Sequence, residues 1–415
     1  MSPTSPKTSP ASRVAADRCP GALRLAEAAD GFLARVRLPG GFVTGDQLRA
    51  LADLATGLGD GRVELTSRGN VQLRALTADA AAPLTAALTR AGLLPSLEHD
   101  RVRNVLASPL AGLDGRGSGR DLAGIVAALD AELCARPRLA ELSGRFLFAI
   151  DDGRGDVAGL GADVVAVVGA DGVVVNGLAV NGPLTHGSAS AGRGDATSDV
   201  VAVMLAFAEA FLDERAASGS AAWRIADLPG GAGRVREAVA ERFGLAAGPP
   251  PPVPVTGTRP VGLVRCPVSA GGGAEPRFVT PDGLDSAVLL APLGRLTAAQ
   301  VTWVAARAAG RAARITPWRS VVLPDQRDAD AALREAAGLG FGVDDRSPWL
   351  RVTACAGRPG CASALADVQA DAAGFAARWP GRIVHVSGCG RHCGRPAATE
   401  IDVTATSEGY WVAEV

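Results

Sequence analysis

Two stretches of the chain share one rhythm of apolar and polar positions. An apolar strand opens at Asp30-Gly31-Phe32-Leu33, and another at Asp282-Gly283-Leu284. A segment of helical period follows each: VTGDQLRALADLA from Val43 and LTAAQVTWVAARAA from Leu296. Thr44 and Thr297 stand where an N-cap belongs, with Gln47 and Gln300 three residues on, the capping-box signature. Strand pairs come next, VELTSRGNVQLRAL from Val63 and ARITPWRSVVLPD from Ala313. A similarity about 250 residues apart is not a solenoid period. It predicts an α+β fold built by duplication, with strand–helix–strand units in pseudo-twofold arrangement.

A further α+β region follows each unit. RDLAGIVAALDAEL from Arg120 has helical period and FLFAID from Phe146 reads as a strand. DVVAVVGADGVVVNGLAV from Asp163 reads as a hairpin turning at Ala170-Asp171-Gly172, and VVAVMLAFAEAFLDERAA from Val200 as a long buried helix. In the second half, ASALADVQADAAGFAARW from Ala362 reads as a helix and IVHVSG from Ile383 as a strand. AAGPPPPVPVTG, Ala246 to Gly257, is a linker, because proline fixes φ and lacks a donor. GSASAGRGDATSD, Gly187 to Asp199, is poor in apolar residues and reads as a mobile loop. Residues 1–18 lack the apolar core of a secretion signal and read as a disordered tail.

The chain has 415 residues, and 47% of them are hydrophobic, enough for two or three buried cores. A formal net charge of −1 argues against a nucleic-acid partner. No uncharged apolar run reaches the roughly 18–20 residues of a membrane span, so a cytoplasmic location is the expectation. Lys7 is the only lysine, and arginine carries the remaining positive charge. Arginine grips carboxylates with two parallel bonds and keeps its charge when buried, which suits a polycarboxylate ligand. No GxGxxG joins a strand to a helix, so no dinucleotide site of that kind is predicted.

Seven cysteines in such a chain argue against a disulfide framework. Cys19, Cys134 and Cys266 are isolated and read as small buried apolar residues. Cys355, Cys361, Cys389 and Cys393 are paired as C-x5-C and C-x3-C. Four thiolates are the ligand set of a 4Fe-4S cubane. Gly357, Pro359, Gly360, Gly388, Gly390 and Gly394 let both loops bend around a bulky inorganic group. Cys361 just ahead of a predicted helix would gain from its N-terminal partial charge. Four thiolates also bind zinc, but zinc pairs favour two to four intervening residues and the x5 spacing fits poorly. A triad of the radical-SAM kind is not met.

These cysteines, the block VHVSGCGRHCGRP from Val384, ELTSRGNVQL from Glu64 and RVRNVLASPLAG from Arg101 resemble the sulfite/nitrite reductase superfamily. The resemblance covers residues 19–415. It implies two ferredoxin-like half-domains, each followed by an α+β domain for a cluster and a tetrapyrrole. The expected divisions are a tail at 1–18, half-domain 1 at 19–90, reductase-like domain 1 at 91–245, a linker at 246–257, half-domain 2 at 258–326 and the 4Fe-4S domain at 327–415. The opening CPGALRLAEAADGFLARVRLPGG from Cys19 and ITPWRSVVLPD resemble, within the superfamily, a cobalamin-pathway branch. That branch implies a monooxygenase acting on the tetrapyrrole precorrin-3A with O2. NADH-derived electrons would arrive through an external donor. A monomer is compatible with the sequence, which does not set the oligomeric state.

By the same resemblance, Arg68 and Asn70 on the Thr66 strand, Arg103 beside Asn104, and Arg145 line the ligand site. Gln72 and Arg74 fall on the same strand face as Arg68 and Asn70 by period-two geometry, which adds Arg74 to the lining. The reductases carry a second basic residue where this chain has Leu147. They carry small or amide residues where it has Gly390, Arg391 and His392. Both departures speak against the alternative, a sirohaem-dependent reductase of sulfite or nitrite. The arginines speak against a mere electron carrier. A mononuclear non-haem iron, also implied by the resemblance, would need His and carboxylate ligands. His99, His186, His385 and His392 are the histidines on hand, and none is assigned.

Overall fold

The computed structural model describes residues 17, 19–170, 172–180, 196–246, 261–265 and 284–415. The proline-rich linker from 247 onward, most of the 187–199 loop, the tail except Asp17, and Asp171, His186, Cys266, Asp282 and Gly283 lie outside these residues. Elements are numbered in chain order. The first unit comprises β1 (Ala26–Ala28), β2 (Gly31–Val36), β3 (Phe42–Val43), α1 (Gly45–Leu58), β4 (Arg62–Leu65), β5 (Val71–Leu76) and α2 (Ala81–Arg90). The first α+β region comprises β6 (Val105–Ala107), α3 (Ala123–Cys134), β7 (Phe148–Asp151), β8 (Val164–Val168), β9 (Val173–Val175), β10 (Leu178–Val180), α4 (Ala196–Ala217) and α5 (Gly231–Phe243). The second unit comprises β11 (Gly262–Val264), β12 (Asp285–Leu290), β13 (Arg295–Thr297), α6 (Ala298–Arg307), β14 (Ala313–Ile315), β15 (Ser320–Gln326) and α7 (Ala329–Gly338). The last region comprises β16 (Val352–Ala354), α8 (Val368–Arg378), β17 (Val384–Ser387), β18 (Ile401–Thr406) and β19 (Gly409–Glu414).

The two units are built alike down to single bonds. Thr44 and Thr297 close full capping boxes with Gln47 and Gln300 at the starts of α1 and α6. Between β4 and β5 the Thr66 hydroxyl accepts from the amides of Arg68 and Asn70. Between β14 and β15 the Thr316 hydroxyl accepts from Trp318 and Ser320 in the same way. Ala75 and Asp325 share a left-handed backbone at equivalent places in β5 and β15, where both sheets carry a register shift.

Each sheet is completed by the other unit. The first has the order β1-β2-β5-β4-β13, and the second β11-β12-β15-β14-β3. Leu51 of α1, Val304 of α6, Leu73 of β5 and Leu323 of β15 lie in one core. Fully burying each such side chain stabilises the fold by roughly 1.5–3 kcal/mol. The helices approach closely at Gly45, where a Cβ would stand 2.6 Å from the Ala305 carbonyl oxygen.

The α+β regions also repeat one plan. β6, β7 and β8 are parallel, with β9 and β10 added antiparallel. β16, β17 and β18 are parallel, with β19 added antiparallel. The expected single hairpin from Asp163 is a three-strand meander. Its second turn is Asn176-Gly177, both residues at positive φ, which an Asn-Gly pair tolerates. Helix α4 begins at Ala196, inside the segment expected as loop to Asp199. Among the described residues no helix is long and apolar enough to cross a membrane.

Candidate functional site

Cys355 directly follows β16, and Cys389 follows β17 by one glycine. Both therefore emerge at the carboxyl ends of adjacent parallel strands, where open α/β sheets leave a crevice. The Cys355 amide continues the ladder to the Val386 carbonyl at 3.0 Å. The Gly388 amide donates to the Cys355 sulfur at 3.1 Å, a bond that favours a thiolate. Leu365 of the first loop donates to the Gly388 carbonyl at 2.8 Å. A Cβ at Gly388 would lie 2.7 Å from the Ala364 Cβ, so only glycine lets the two loops meet. Cys355, Cys361 and Cys389 are half-buried and Cys393 is exposed, and all four are free thiols.

This donor set fits a cubane. Among the described residues no three of the four sulfurs lie within 4.8 Å of one another. Thiolates on a single zinc would stand roughly 3.8 Å apart. A cubane, whose thiolates bind four separate irons, does not ask for that closeness.

Cys361 is not at a helix start. Asp367 caps α8, and residues 362–367 instead fold back between the two cysteine loops. That backbone is spent on the Leu365–Gly388 bond and on Arg358 N to the Ala366 carbonyl. The positive charge beside Cys361 comes from Arg74, whose Nη2 donates to the Gly360 carbonyl at 3.0 Å. Arg74 is buried and ion-paired with Asp30, so it braces the cysteine loop and is not an open ligand arginine.

Two other expected ligand residues are also structural. Arg103 is buried, with Nε and Nη2 on Asp130 at 2.7 and 2.6 Å and Nη1 on the Leu93 carbonyl. Its donors are spent below α3. Asn70 is buried too, its Oδ1 accepting from the Leu38 amide at 2.9 Å. Asn104 likewise bonds the Gly144 and Phe146 carbonyls.

Arg68 and Arg145 do stand at an open cationic group. Arg68 is half-buried, with Nη1 on the Gly144 carbonyl. Burial lowers its pKa, and neighbouring Arg224 and Arg145 add to that. Arg145 is exposed and stacks over Trp223 at 4.3 Å. Arg35 and Arg37 of the β2 segment complete the group and were not anticipated. Arg37 is 2% exposed, its Nη1 has no partner, and burial together with Arg35 pushes its pKa down to about 9. An orphaned guanidinium nitrogen beside further arginines is a place for an anion. The signal was present in Leu33-Ala34-Arg35-Val36-Arg37, where charge recurs at every second position of an apolar strand. Cys19, expected as a buried apolar residue, is half-exposed beside Arg35 and Arg37, and burial and Asp17 raise its pKa. Asp17, within the expected tail, accepts from the Gly144 amide and pairs with Arg101.

Leu147 is buried in one apolar cluster with Leu106, Ala149 and Val157. Arg391 is exposed, whereas His392 is folded onto Asp402 at 3.1 Å. His392 therefore does not stand free to crowd a ligand. Among the described residues no His and carboxylate set for a mononuclear iron is formed. His99 has both ring nitrogens occupied, by Ser96 and the Arg136 carbonyl. His385 is buried on Thr353, and Asp402 is shared by His392 and Arg395. Among the described residues one acidic group converges, Asp151, Asp152 and Asp156. Asp151 is consumed by four backbone amides, and Asp152 by Arg154.

Residues 25–91 match the nitrite/sulfite reductase ferredoxin-like half-domain family. The structure of the Mycobacterium tuberculosis NirA protein superposes with a TM-score of 0.69 at 22% identity, covering 92% of this chain and 73% of that one. The fold is thus the NirA-like one, and residues 25–91 carry the half-domain of that family. A precorrin-3B synthase from Sinorhizobium sp is similar almost end to end, 29% identical over 98% of this chain and 84% of its own length. A ferredoxin–nitrite reductase from Synechococcus elongatus is 34% identical over only 30% of this chain and 25% of its own.

Proposed function

We propose that the chain is a precorrin-3B synthase, hydroxylating precorrin-3A with O2 and closing a γ-lactone in aerobic cobalamin synthesis. The observation that carries this is the group of Arg35, Arg37, Arg68 and Arg145, with its buried unpartnered nitrogen, in a chain similar along almost its whole length to such an enzyme. A polycarboxylate macrocycle needs several fixed cations, each charge-assisted bond contributing about 1.5–3 kcal/mol.

Arg37 and Arg35 hold one carboxylate from the strand floor, and Arg68 and Arg145 approach from the opposite loop. Arg145 is pre-oriented by the Trp223 ring, so little side-chain entropy is lost on binding. A 4Fe-4S cluster on Cys355, Cys361, Cys389 and Cys393 would supply electrons one at a time. Those electrons originate in NADH and reach the chain through a separate donor. Leu147, buried in the core, leaves no second ammonium of the kind that protonates a sulfur or nitrogen oxyanion.

Labelled O2 supplied with precorrin-3A and a reductant tests this reading. One labelled oxygen atom should appear in the product and the other in water. Reduction of sulfite or nitrite with sirohaem bound and no label in the tetrapyrrole would establish the reductase instead.

A further inference from the structure

The polar face of the first sheet carries a ladder of side chains that crosses its strands. Arg35 of β2 lies directly opposite Gln72 of β5, Gln72 opposite Glu64 of β4, and Glu64 opposite Arg295 of β13. The side chains join rung by rung. Arg35 Nε donates to Gln72 Oε1 at 3.0 Å, and Gln72 Nε2 donates to Glu64 Oε2 at 3.4 Å. Arg295 pairs with Glu64 at 3.2 Å and donates through Nη1 to Gln369 Oε1. Gln369, in the first turn of α8, donates to the Cys355 carbonyl at 3.1 Å. One end of the ladder is thus in the anion site and the other on the first cysteine.

The duplicated sheet shows that the fold does not require this ladder. The equivalent positions, opposite one another in the same registers, are Val288, Val322, Arg314 and Phe42. There Val288 and Val322 pack against Leu110 and Leu113, and Arg314 is spent on the Pro109 and Ala111 carbonyls. A half-buried run of polar side chains costs some desolvation that the apolar version avoids. Its presence on one sheet only, joining one site to the other, calls for a role other than stability.

We propose that the Arg35–Gln72–Glu64–Arg295–Gln369 ladder couples anion binding at the arginine site to the reduction potential of the centre on Cys355, with Glu64 as its positioning residue. The inference rests on the polycarboxylate and cluster readings above. A carboxylate that takes Arg35 weakens the Arg35–Gln72 bond, and with it the bond from Gln72 to Glu64. Glu64 then holds Arg295 more strongly and draws it from Gln369. The Cys355 carbonyl loses part of a donor, and the potential falls. By linkage, the reduced protein binds the anion more weakly by the same factor.

The test uses the intact chain with its cluster, verified by iron and sulfide content, and uroporphyrin III as an octacarboxylate probe. Binding is followed by absorbance and the cluster potential by redox titration. In the wild type the probe should lower the potential by an amount on the order of 59 mV, a tenfold change for a one-electron couple. Glu64→Gln, which keeps shape and removes charge, should bind the probe within a few-fold of wild type and lose most of the shift. Gln72→Leu breaks the neutral rung, should act likewise, and carries the test alone if Glu64→Gln loses its cluster. A shift of unchanged size in these variants would mean that the charge acts through space and would overturn the ladder. Binding with no shift in the wild type would overturn it as well, while leaving the tetrapyrrole reading intact. No binding at all would defeat that reading and the ladder together.

Discussion

Gly388 donates its amide to the sulfur of Cys355 at 3.1 Å, and the other half of the molecule holds a replica of that bond. Ser108 follows β6 as Cys355 follows β16, and the Asp152 amide donates to the Ser108 hydroxyl, also at 3.1 Å. The Ser108 amide reaches the Ile150 carbonyl as that of Cys355 reaches Val386. The same crevice therefore exists twice. In the first region it is filled by Arg154 with Asp114 and Asp152, and in the second it is lined by cysteines. Duplication supplied two pockets, one filled by a structural ion network and the other lined by thiols.

The purified protein should contain about four iron and four sulfide per chain. Gly388→Ala should lower that content sharply, because its Cβ would meet Ala364 at 2.7 Å. Gly390→Ala, with nothing within 4 Å of the added carbon, should leave it unchanged. Stoichiometric zinc without sulfide would refute the cluster.

Arg35→Ala and Arg68→Ala should each weaken tetrapyrrole binding about 10- to 100-fold, the worth of one charge-assisted bond, with the fold intact. Arg103→Ala should do the opposite. It strands Asp130 and costs on the order of 3 kcal/mol of stability, with little effect on affinity in protein that remains folded. Calorimetric titration and denaturant unfolding separate the two outcomes.

Arg74→Ala removes the tie between the first sheet and the Gly360 carbonyl. The cluster should form but be lost faster to a chelator, several-fold by the bleaching rate of the visible band, while tetrapyrrole affinity holds. An unchanged bleaching rate would show that Arg74 does not brace the loop.

Burial raises the Asp156 carboxyl to about 7, with Asp151 and Asp152 adding to the effect and Ser108 and Arg154 opposing it. The native state thus keeps a proton that the unfolded chain gives up near pH 4. Stability should fall as pH rises through that window and level off above about 7, by up to roughly 4 kcal/mol. Urea unfolding at pH 5 and pH 8 should show a smaller loss in Asp156→Asn than in the wild type.

Much of this architecture was legible in the residues. Both capping boxes, both Thr-containing turns and the cysteine pairs sit in short segments whose local chemistry fixes the backbone. The ligand arginines were harder. Arg68, Arg74 and Arg103 look alike in sequence, and only the placement of Asp30, Asp130 and the Gly360 carbonyl decides which guanidinium stays free. Those partners lie far along the chain, up to 286 residues away for Gly360. The start of α8 was misplaced because Ala362–Asp367 has good helix formers, and the bonds that override them come from the other cysteine loop. The Asn-Gly turn in the β8–β10 meander carried a plain local signal that the longer apolar run obscured.

The exchange of β3 and β13 bears on how the protein could be taken apart. Each half lends the other an outer strand, as subunits do in a swapped dimer, and α1 and α6 share one apolar layer. The peptide connection between the halves is then a lesser tie than the surfaces they bury together. Encoded as two separate polypeptides divided between 247 and 257, the halves should be insoluble when made singly and reconstitute when made together. A gene split at that point would serve as a complementation pair.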